Sequence, residues 1–315
     1  MKRIHYQTLF FALAAFCLAN CAKEKTPEAA WRYPGPFPEI TNGPSNAQKL
    51  CYELYQKYDL HVYYNLSGDE ALRSDVGNFQ TANMANAASP CQASDEDSGE
   101  RFLKLLKGFL SLLPDQMASS GPHRRHVLVK INPTLTAQYV DELGNPYLAC
   151  TANEDGVGIL LYGYLASDND TNNTLFSNVE GWKWNICYQF FRGSVTSLRR
   201  ESVPEDFELV CVQSDYRNAA YYTSSSGTFN RANAKSYGFV HPFGALSSTA
   251  PARVFYDWGS YVAWILTTPY TERSADIEAY PRIKTRYNAV MEYYKTTFNI
   301  DLETISTQYC VFTID

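Results

Sequence analysis

Trp184, Cys187, Tyr188, Phe191, Val195 and Leu198 recur at spacings of three, four and seven residues and draw one apolar stripe down a single helix. Such a stripe must be covered, and the chain just before it supplies strands. "HVLVKIN" from His126, "NPYLACTA" from Asn145 and "VGILLYGYL" from Val157 to Leu165 are rich in β-branched and aromatic residues, with turn signals at Gly144-Asn145-Pro146 and Asp155-Gly156. Further upstream, a helix begins around Gly43-Pro44-Ser45 with Leu50, Leu54, Tyr55 and Tyr58 on one face. It is followed by the strand "LHVYYNL", a polar loop from Thr81 to Gly99 and the amphipathic helix "ERFLKLLKGFLSLL", stopped by Pro114. Downstream, "ARVFYDWGSYVAWIL" and "EAYPRIKTRYNAVMEYYKTTFNIDLETI" read as two more helical regions. The order predicts an α+β fold, with a mixed β-sheet in the N-terminal half and a mainly helical C-terminal half. No internal repeat is present.

The N-terminus carries a different kind of information. A basic start (MKRIHYQ), the apolar run TLFFALAAFCLA and the tripeptide Leu18-Ala19-Asn20 before Cys21 have the plan of a secretory signal, too short for a stable membrane span. The tripeptide with its cysteine resembles a bacterial lipobox. That resemblance implies that residues 1–20 are removed and that Cys21 becomes the acylated, palmitate-type anchor of the mature chain in the outer-membrane bilayer. Lys23-Glu24-Lys25 resembles a short charged tag for export to the cell surface. Residues 21–42 contain Pro27, Pro34, Pro36 and Pro38, which suits an extended tether, leaving 43–315 as the folded body. Ordinary secretion with Cys21 as a thiol is the alternative.

About 295 residues follow the signal, enough for a substantial core. A formal net charge of −6, with no basic run beyond Arg124-Arg125 and Arg199-Arg200, argues against nucleic-acid or anionic-membrane binding. The 24 Tyr and 17 Phe suit either the walls of a sugar or peptide cleft or an ordinary core. Six cysteines lie beyond the anchor: Cys51, Cys91, Cys150, Cys187, Cys211 and Cys310. In an oxidising compartment they permit up to three disulfides, and spacing alone does not choose among about fifteen connectivities. None forms a C-x-x-C pair, so a thiolate metal site or a dithiol redox role has little support.

Taken together, the lipobox, "GILLYGY", the helix ending in "YQFFRGSVTSLRRESVPEDF", the segment "GFVHPFGALSSTAPARVFYDWGSYV" and the closing "YYKTTFNIDLETI" resemble the substrate-import-associated zinc metallohydrolase lipoproteins. These are zinc-binding metallopeptidases of zincin-like fold, encoded beside SusC/SusD-type, TonB-dependent importers. Their chemistry resides in a helical H-E-x-x-H, where two histidines one turn apart hold zinc and the glutamate activates water, with a downstream acidic residue completing the site. If Pro204 matches the proline after that helix, the histidine slots fall at Phe191 and Val195, the glutamate slot at Arg192 and the acidic slot at Asp257. Phenylalanine and valine offer no lone pair, and an arginine cannot accept a proton at neutral pH. The resemblance therefore implies a retained scaffold with a degenerate zinc site, no zinc cofactor, and an Arg192–Asp257 pair in the vacated space. The plainer alternative is that Phe191 and Val195 are core residues of a helix that never carried a site. In either case His5, His61, His123, His126 and His241 form no H-E-x-x-H.

Other constellations are weaker. His123 and His126 make an H-x-x-H that turns into a strand, and the resemblance puts His241, in "GFVHPFG", at the border of the old cleft. Asp168, Asp170 and Asn172 have calcium-loop spacing, but Asn173 stands where glycine is required and Val179 where glutamate is, which favours an Asx-rich turn. No nucleophile elbow, P-loop or dinucleotide fingerprint is present. Glu205 and Asp206 are adjacent in a loop, poor evidence for a glycosidase carboxylate pair.

The expectation is thus a lipid-anchored binding or accessory component of a nutrient importer, with a peptide or glycan ligand and no nucleic acid. One alternative is an active metallohydrolase using Asp257, His241 and Glu201 or Asp206, and another is a structural or adhesive surface lipoprotein. The zincin-like reading also predicts that "ARVFYDWGSYV" packs beside the Trp184–Leu198 helix, bringing Asp257 within one or two side-chain lengths of Arg192.

Overall fold

The helices owe their limits to local chemistry. In the computed structural model, α1 (Asn46–Tyr58) starts at Ser45, whose hydroxyl accepts from the Gln48 amide at 3.1 Å while the Gln48 side chain accepts from the Ser45 amide at 3.2 Å. This reciprocal capping box satisfies two otherwise orphaned donors. Asp59, in the left-handed conformation at φ 52°, ends the helix. The helical region read from sequence over residues 278–305 spans the end of one helix and two more: α8 (Tyr270–Ala279), α9 (Pro281–Phe298) and α10 (Leu302–Cys310). Pro281 has no amide to continue α8 and opens α9 at its first turn, Asn299 at φ 55° closes α9, and the Asp301 carboxylate caps α10 through the Glu303 amide at 2.9 Å.

The structure describes residues 37–67, 70–71, 74, 92–93, 96–119, 124–130, 150–153, 156–161, 179–195, 203–210, 231–241 and 250–314. The chain divides into two units, Met1–Phe37 and Pro38–Asp315, and the described strands and helices belong to the second. Cys21, the tether to residue 36, the polar loop at 81–91, the 168–178 Asx-rich segment, His123, Leu198 and Glu201 lie outside the described residues.

A small mixed sheet contains β1 (His61–Tyr63), β2 (Gln92–Ala93), β3 (Arg125–Lys130), β4 (Cys150–Asn153) and β5 (Gly156–Leu161), in the order β1-β3-β5-β4. β3 is the central rung. It pairs parallel with β1 (Val62 opposite His126) and with β5 (Leu128 opposite Ile159), while β2 pairs antiparallel with its C-terminal end (Gln92 opposite Lys130). β4 closes the other side antiparallel to β5, with Asn153 opposite Gly156. His126 is thus a strand residue, so the H-x-x-H has no helical geometry.

Helices dominate the remainder: α2 (Glu96–Leu112), α3 (Asp115–Ser119), α4 (Val179–Val195), α5 (Glu205–Glu208), α6 (Arg231–Ser236), α7 (Ala250–Thr267) and the three closing helices. The mixed α+β reading holds, with a sheet that is small beside the helices. α4 is central: it contacts β4, α2 and, most extensively, α7. Its burial exceeds the single stripe read from sequence. Cys187, Tyr188 and Phe191 are buried as expected, but so are Trp182, Lys183, Asn185, Ile186, Gln189 and Ser194. A helix enclosed on nearly every side must satisfy its polar residues internally, and the Lys183 ammonium does so by donating to the Cys310 carbonyl at 3.1 Å. Aromatic edges lock the layers, with Phe102 against Trp182 at 5.7 Å and Phe109 against Phe191 at 6.1 Å and Tyr309 at 5.5 Å.

Candidate functional site

α4 and α7 approach so closely at one point that only glycine fits. A Cβ on Gly259 would stand 2.7 Å from Arg192 Cβ and 3.1 Å from the Tyr188 carbonyl oxygen. The predicted packing of "ARVFYDWGSYV" beside this helix is therefore present, with Asp257 two residues from the point of contact. Arg192 uses that contact. Its Nη2 donates to the Tyr256 hydroxyl at 3.1 Å, its Nη1 reaches Gln189 Oε1 at 3.4 Å, and its guanidinium lies 4.1 Å from the Tyr256 ring centre.

Asp257 faces elsewhere, because one residue step along α7 rotates the side chain by about 100°. Its carboxylate is fully buried and its Oδ2 accepts from Nη1 of Arg286 on α9, whose side chain is equally buried. The same Nη1 donates to the Gly238 carbonyl at 3.1 Å, which also receives the Tyr261 hydroxyl at 2.6 Å. The guanidinium lies 4.6 Å from the Phe207 ring centre, 5.5 Å from Phe239 and 5.8 Å from Tyr261. The Asp257 carboxylate thus has Arg286 as an ionic partner, one that the sequence reading did not name, and Arg192 engages Tyr256 and Gln189. Sequence reasoning missed Arg286. The signal was there: Ile283, Arg286, Val290 and Tyr294 are the buried residues of α9, spaced by three and four, so this arginine stands within an apolar stripe.

The remaining slots can be tested for their fit to zinc. Phe191 is buried with its ring 5.1 Å from Phe190 and 5.4 Å from Tyr294, and it has no lone pair to give. Arg192 is a fixed cation. Val195 ends α4, and its side chain lies outside the described residues. The Asp257 carboxylate is already held by a cation that does not titrate near neutrality. These residues do not fit a zinc centre. Among the described residues, no group of three or more His, Cys, Asp and Glu side chains is placed to hold a metal ion.

What the helix carries instead is a column of flat groups. The His241 ring stacks on Trp184 at 4.0 Å, Trp184 stacks on Tyr188 at 4.7 Å, and the Arg192 guanidinium lies 5.9 Å from the Tyr188 ring centre. Trp184, Tyr188 and Arg192 are spaced four apart, so they lie one above another along α4. Trp184 and His241 are half-buried and Tyr188 is fully buried. His241 and Tyr188 take the faces of Trp184 and Tyr188 is enclosed, so a flat group could join such a column only at its His241 end, and a carboxylate at Arg192. The divergent hydrolase site meets a different geometry: His241 belongs to this column, Asp257 to the buried ion pair, and Asp206 to the exposed start of α5.

Cys51, Cys187 and Cys310 are not joined in disulfides in this structure, while Cys91, Cys211 and the side chain of Cys150 lie outside the described residues. Burial, with the Glu96 carboxylate adding to it, pushes the Cys51 thiol up to about 12. Burial pushes Cys187 well above the ordinary thiol range, with Cys310 adding to the effect and the Tyr309 hydroxyl and Lys183 opposing it.

No protein-family model matches the chain, and no curated protein does. Among solved structures, a crystal structure from Bacteroides caccae, described as a "putative zinc-binding metallo-peptidase", matches with a TM-score of 0.53 at 12% identity, covering 86% of this chain and 94% of that one. At that identity the likeness establishes a shared fold.

Proposed function

We propose that this protein is an outer-membrane lipoprotein, anchored through acylated Cys21, that uses a metallopeptidase-like scaffold for binding and not for zinc hydrolysis, as an accessory component of a SusC/SusD-type nutrient importer. The observation that carries the reading is the fully buried Asp257–Arg286 pair. A carboxylate enclosed with a permanent cation is a structural element. To ligate a metal it would have to abandon Arg286 in a dry interior, at a cost of roughly 3–5 kcal/mol. The likeness to the metallopeptidase fold supports the scaffold half of the proposal.

The ligand is a peptide or a glycan, received at the His241 end of the column, whose ring is backed by Trp184, with Arg192 at the other end. Stacking of a ring on such a face contributes about 1–2 kcal/mol, or roughly tenfold in affinity. The test is a calorimetric screen of soluble Cys21→Ser protein against oligosaccharide and peptide panels, followed by Trp184→Ala on any hit. The proposal expects binding without turnover and a loss of about tenfold or more in the variant. Turnover of the bound ligand, or a hit indifferent to Trp184→Ala, would contradict it.

A further inference from the structure

α9 is anchored on one side and open on the other. Ile283, Arg286, Val290 and Tyr294 hold its inner face in the core. Its outer face lines two hollows, of about 460 and about 640 Å³, and Asn288 and Glu292, one turn apart, line both. The first hollow lies between Thr285 and Ala289 of α9 and the end of α5, where Asp206, Leu209 and Val210 line it. The second passes Met291 and Lys295 to reach Ile300 and Asp301 at the turn into α10. A ligand lying across the Asn288–Glu292 turn therefore reaches both. From Thr285 to Asn299 the chain rises by about 21 Å, the length of about six residues of extended peptide.

The walls are fixed from beneath. α5 is a single turn, but its Phe207 is fully buried, with its ring 5.1 Å from Trp258 and 5.2 Å from Tyr261. Two residues later Leu209 is 67% exposed at the rim of the first hollow, so covering it releases apolar surface from water without reorganising the backbone. The charge of the trough has one dominant sign. Among its described lining residues Asp206, Glu292 and Asp301 are acidic and Lys295 is basic. The Asp301 carboxylate is engaged in capping α10, whereas Asp206 and Glu292 form no ion pair among the described residues. No aromatic ring is among the described lining residues, which disfavours a sugar as the occupant.

We infer that this trough docks an extended segment of a partner protein in which lysine or arginine side chains alternate with apolar ones. Leu209, Val210, Ala289, Met291 and Ile300 meet the apolar side chains, while Asp206 and Glu292 meet the cations and select against acidic segments. The trough shares no described residue with the column on α4, so this docking is independent of the ligand received there.

The test uses soluble Cys21→Ser protein and a fluorescein-labelled hexapeptide of alternating lysine and leucine, with a control peptide in which glutamate replaces each lysine. Fluorescence anisotropy should show saturable binding of the basic peptide alone, weakening as salt is added because the charges on both sides are solvent-exposed. Glu292→Gln should weaken binding by about fivefold and Leu209→Ala by about tenfold, in variants with unchanged circular dichroism. A photoreactive leucine in the peptide then locates the site, with adducts expected within residues 203–210 or 281–301. Adducts confined to other segments, including those of Trp184 and His241, equal binding of the acidic peptide, or no saturation by about 1 mM would overturn the inference. The anisotropy and cross-linking measurements need no change in the trough, so they decide the matter even if a variant fails to fold.

Discussion

Asp257 and Arg286 form an ion pair with neither side chain exposed to solvent, between α7 and α9 in the closing region. The pair sits among Phe207, Phe239 and Tyr261 and is tied to the backbone through the Gly238 carbonyl. In such surroundings, losing one partner leaves a buried charge, whereas losing both leaves a space that apolar groups can fill.

The first prediction is a double-mutant cycle. Arg286→Met alone should lower unfolding free energy by about 3–5 kcal/mol, and Asp257→Leu alone by a similar amount. The double variant should recover much of that loss, short of the share owed to the Gly238 hydrogen bond. Urea denaturation measures all four corners. Simple additivity would show that the two side chains act independently.

A second prediction concerns the α4–α7 contact. Gly259→Ala places a methyl 2.7 Å from Arg192 Cβ, with the Tyr188 carbonyl immediately behind, so the helices must separate. A loss of about 1–3 kcal/mol is expected, typical of overpacking, although alanine is the better helix former. A neutral or stabilising effect in thermal unfolding would mean that α4 and α7 are not so close.

How much of this was legible beforehand differs by level. Helices with a clear apolar period, such as "ERFLKLLKGFLSLL", and the strands around Val127 and Ile159 lie where the local pattern puts them, because side-chain periodicity is a property of neighbouring residues. The parallel pairing of β1, β3 and β5 was not legible, since it joins segments far apart in the chain. The ionic partner of Asp257 was assigned to Arg192 from proximity along the family pattern. The rotation between Tyr256 and Asp257 on α7 sends the two residues to different neighbours. Arg286 went unnoticed because basic residues usually stay in water, and its place in the Ile283–Tyr294 stripe becomes meaningful only once α9 is known to be buried there. His241 was singled out as bordering the cleft, but its stacking on Trp184 requires two segments that the sequence separates widely.

A third prediction comes from Phe191. Its ring fills a fully enclosed space against Phe109, Phe190 and Tyr294, so Phe191→Ala should cost about 3–5 kcal/mol. Phe191→His should also destabilise, because an imidazole there lacks arranged partners. Guanidinium titration distinguishes this from a functional slot, where histidine would be tolerated.

Alkaline pH supplies a fourth. The Cys51 thiol ionises at its ordinary value near 9 in the unfolded chain and at about 12 in the folded one. Between those values the folded state holds more protons than the unfolded, so stability falls as pH rises. The contribution is fully present below pH 9 and is lost by about pH 12, a change of roughly 4 kcal/mol for a shift of this size. The Tyr64 phenol, pushed up to about 12 by burial and by its bond to Glu96, acts with the same sign over the upper part of that window. Cys51→Ala should flatten the pH dependence of urea midpoints above pH 9, and an unchanged slope would show that the thiol does not resist ionisation in the folded state.

The central claim, that this scaffold binds without zinc chemistry, is tested most directly by the metal content of the protein itself. Soluble Cys21→Ser protein, purified without metal-binding tags and dialysed against trace zinc, should contain far less than one zinc per chain by elemental analysis, and peptide substrates should survive it with or without added zinc. Stoichiometric zinc that a chelator removes together with a metal-dependent peptide hydrolysis, and that Asp257→Ala abolishes in a variant still folded by circular dichroism, would contradict the account and identify an active metallohydrolase.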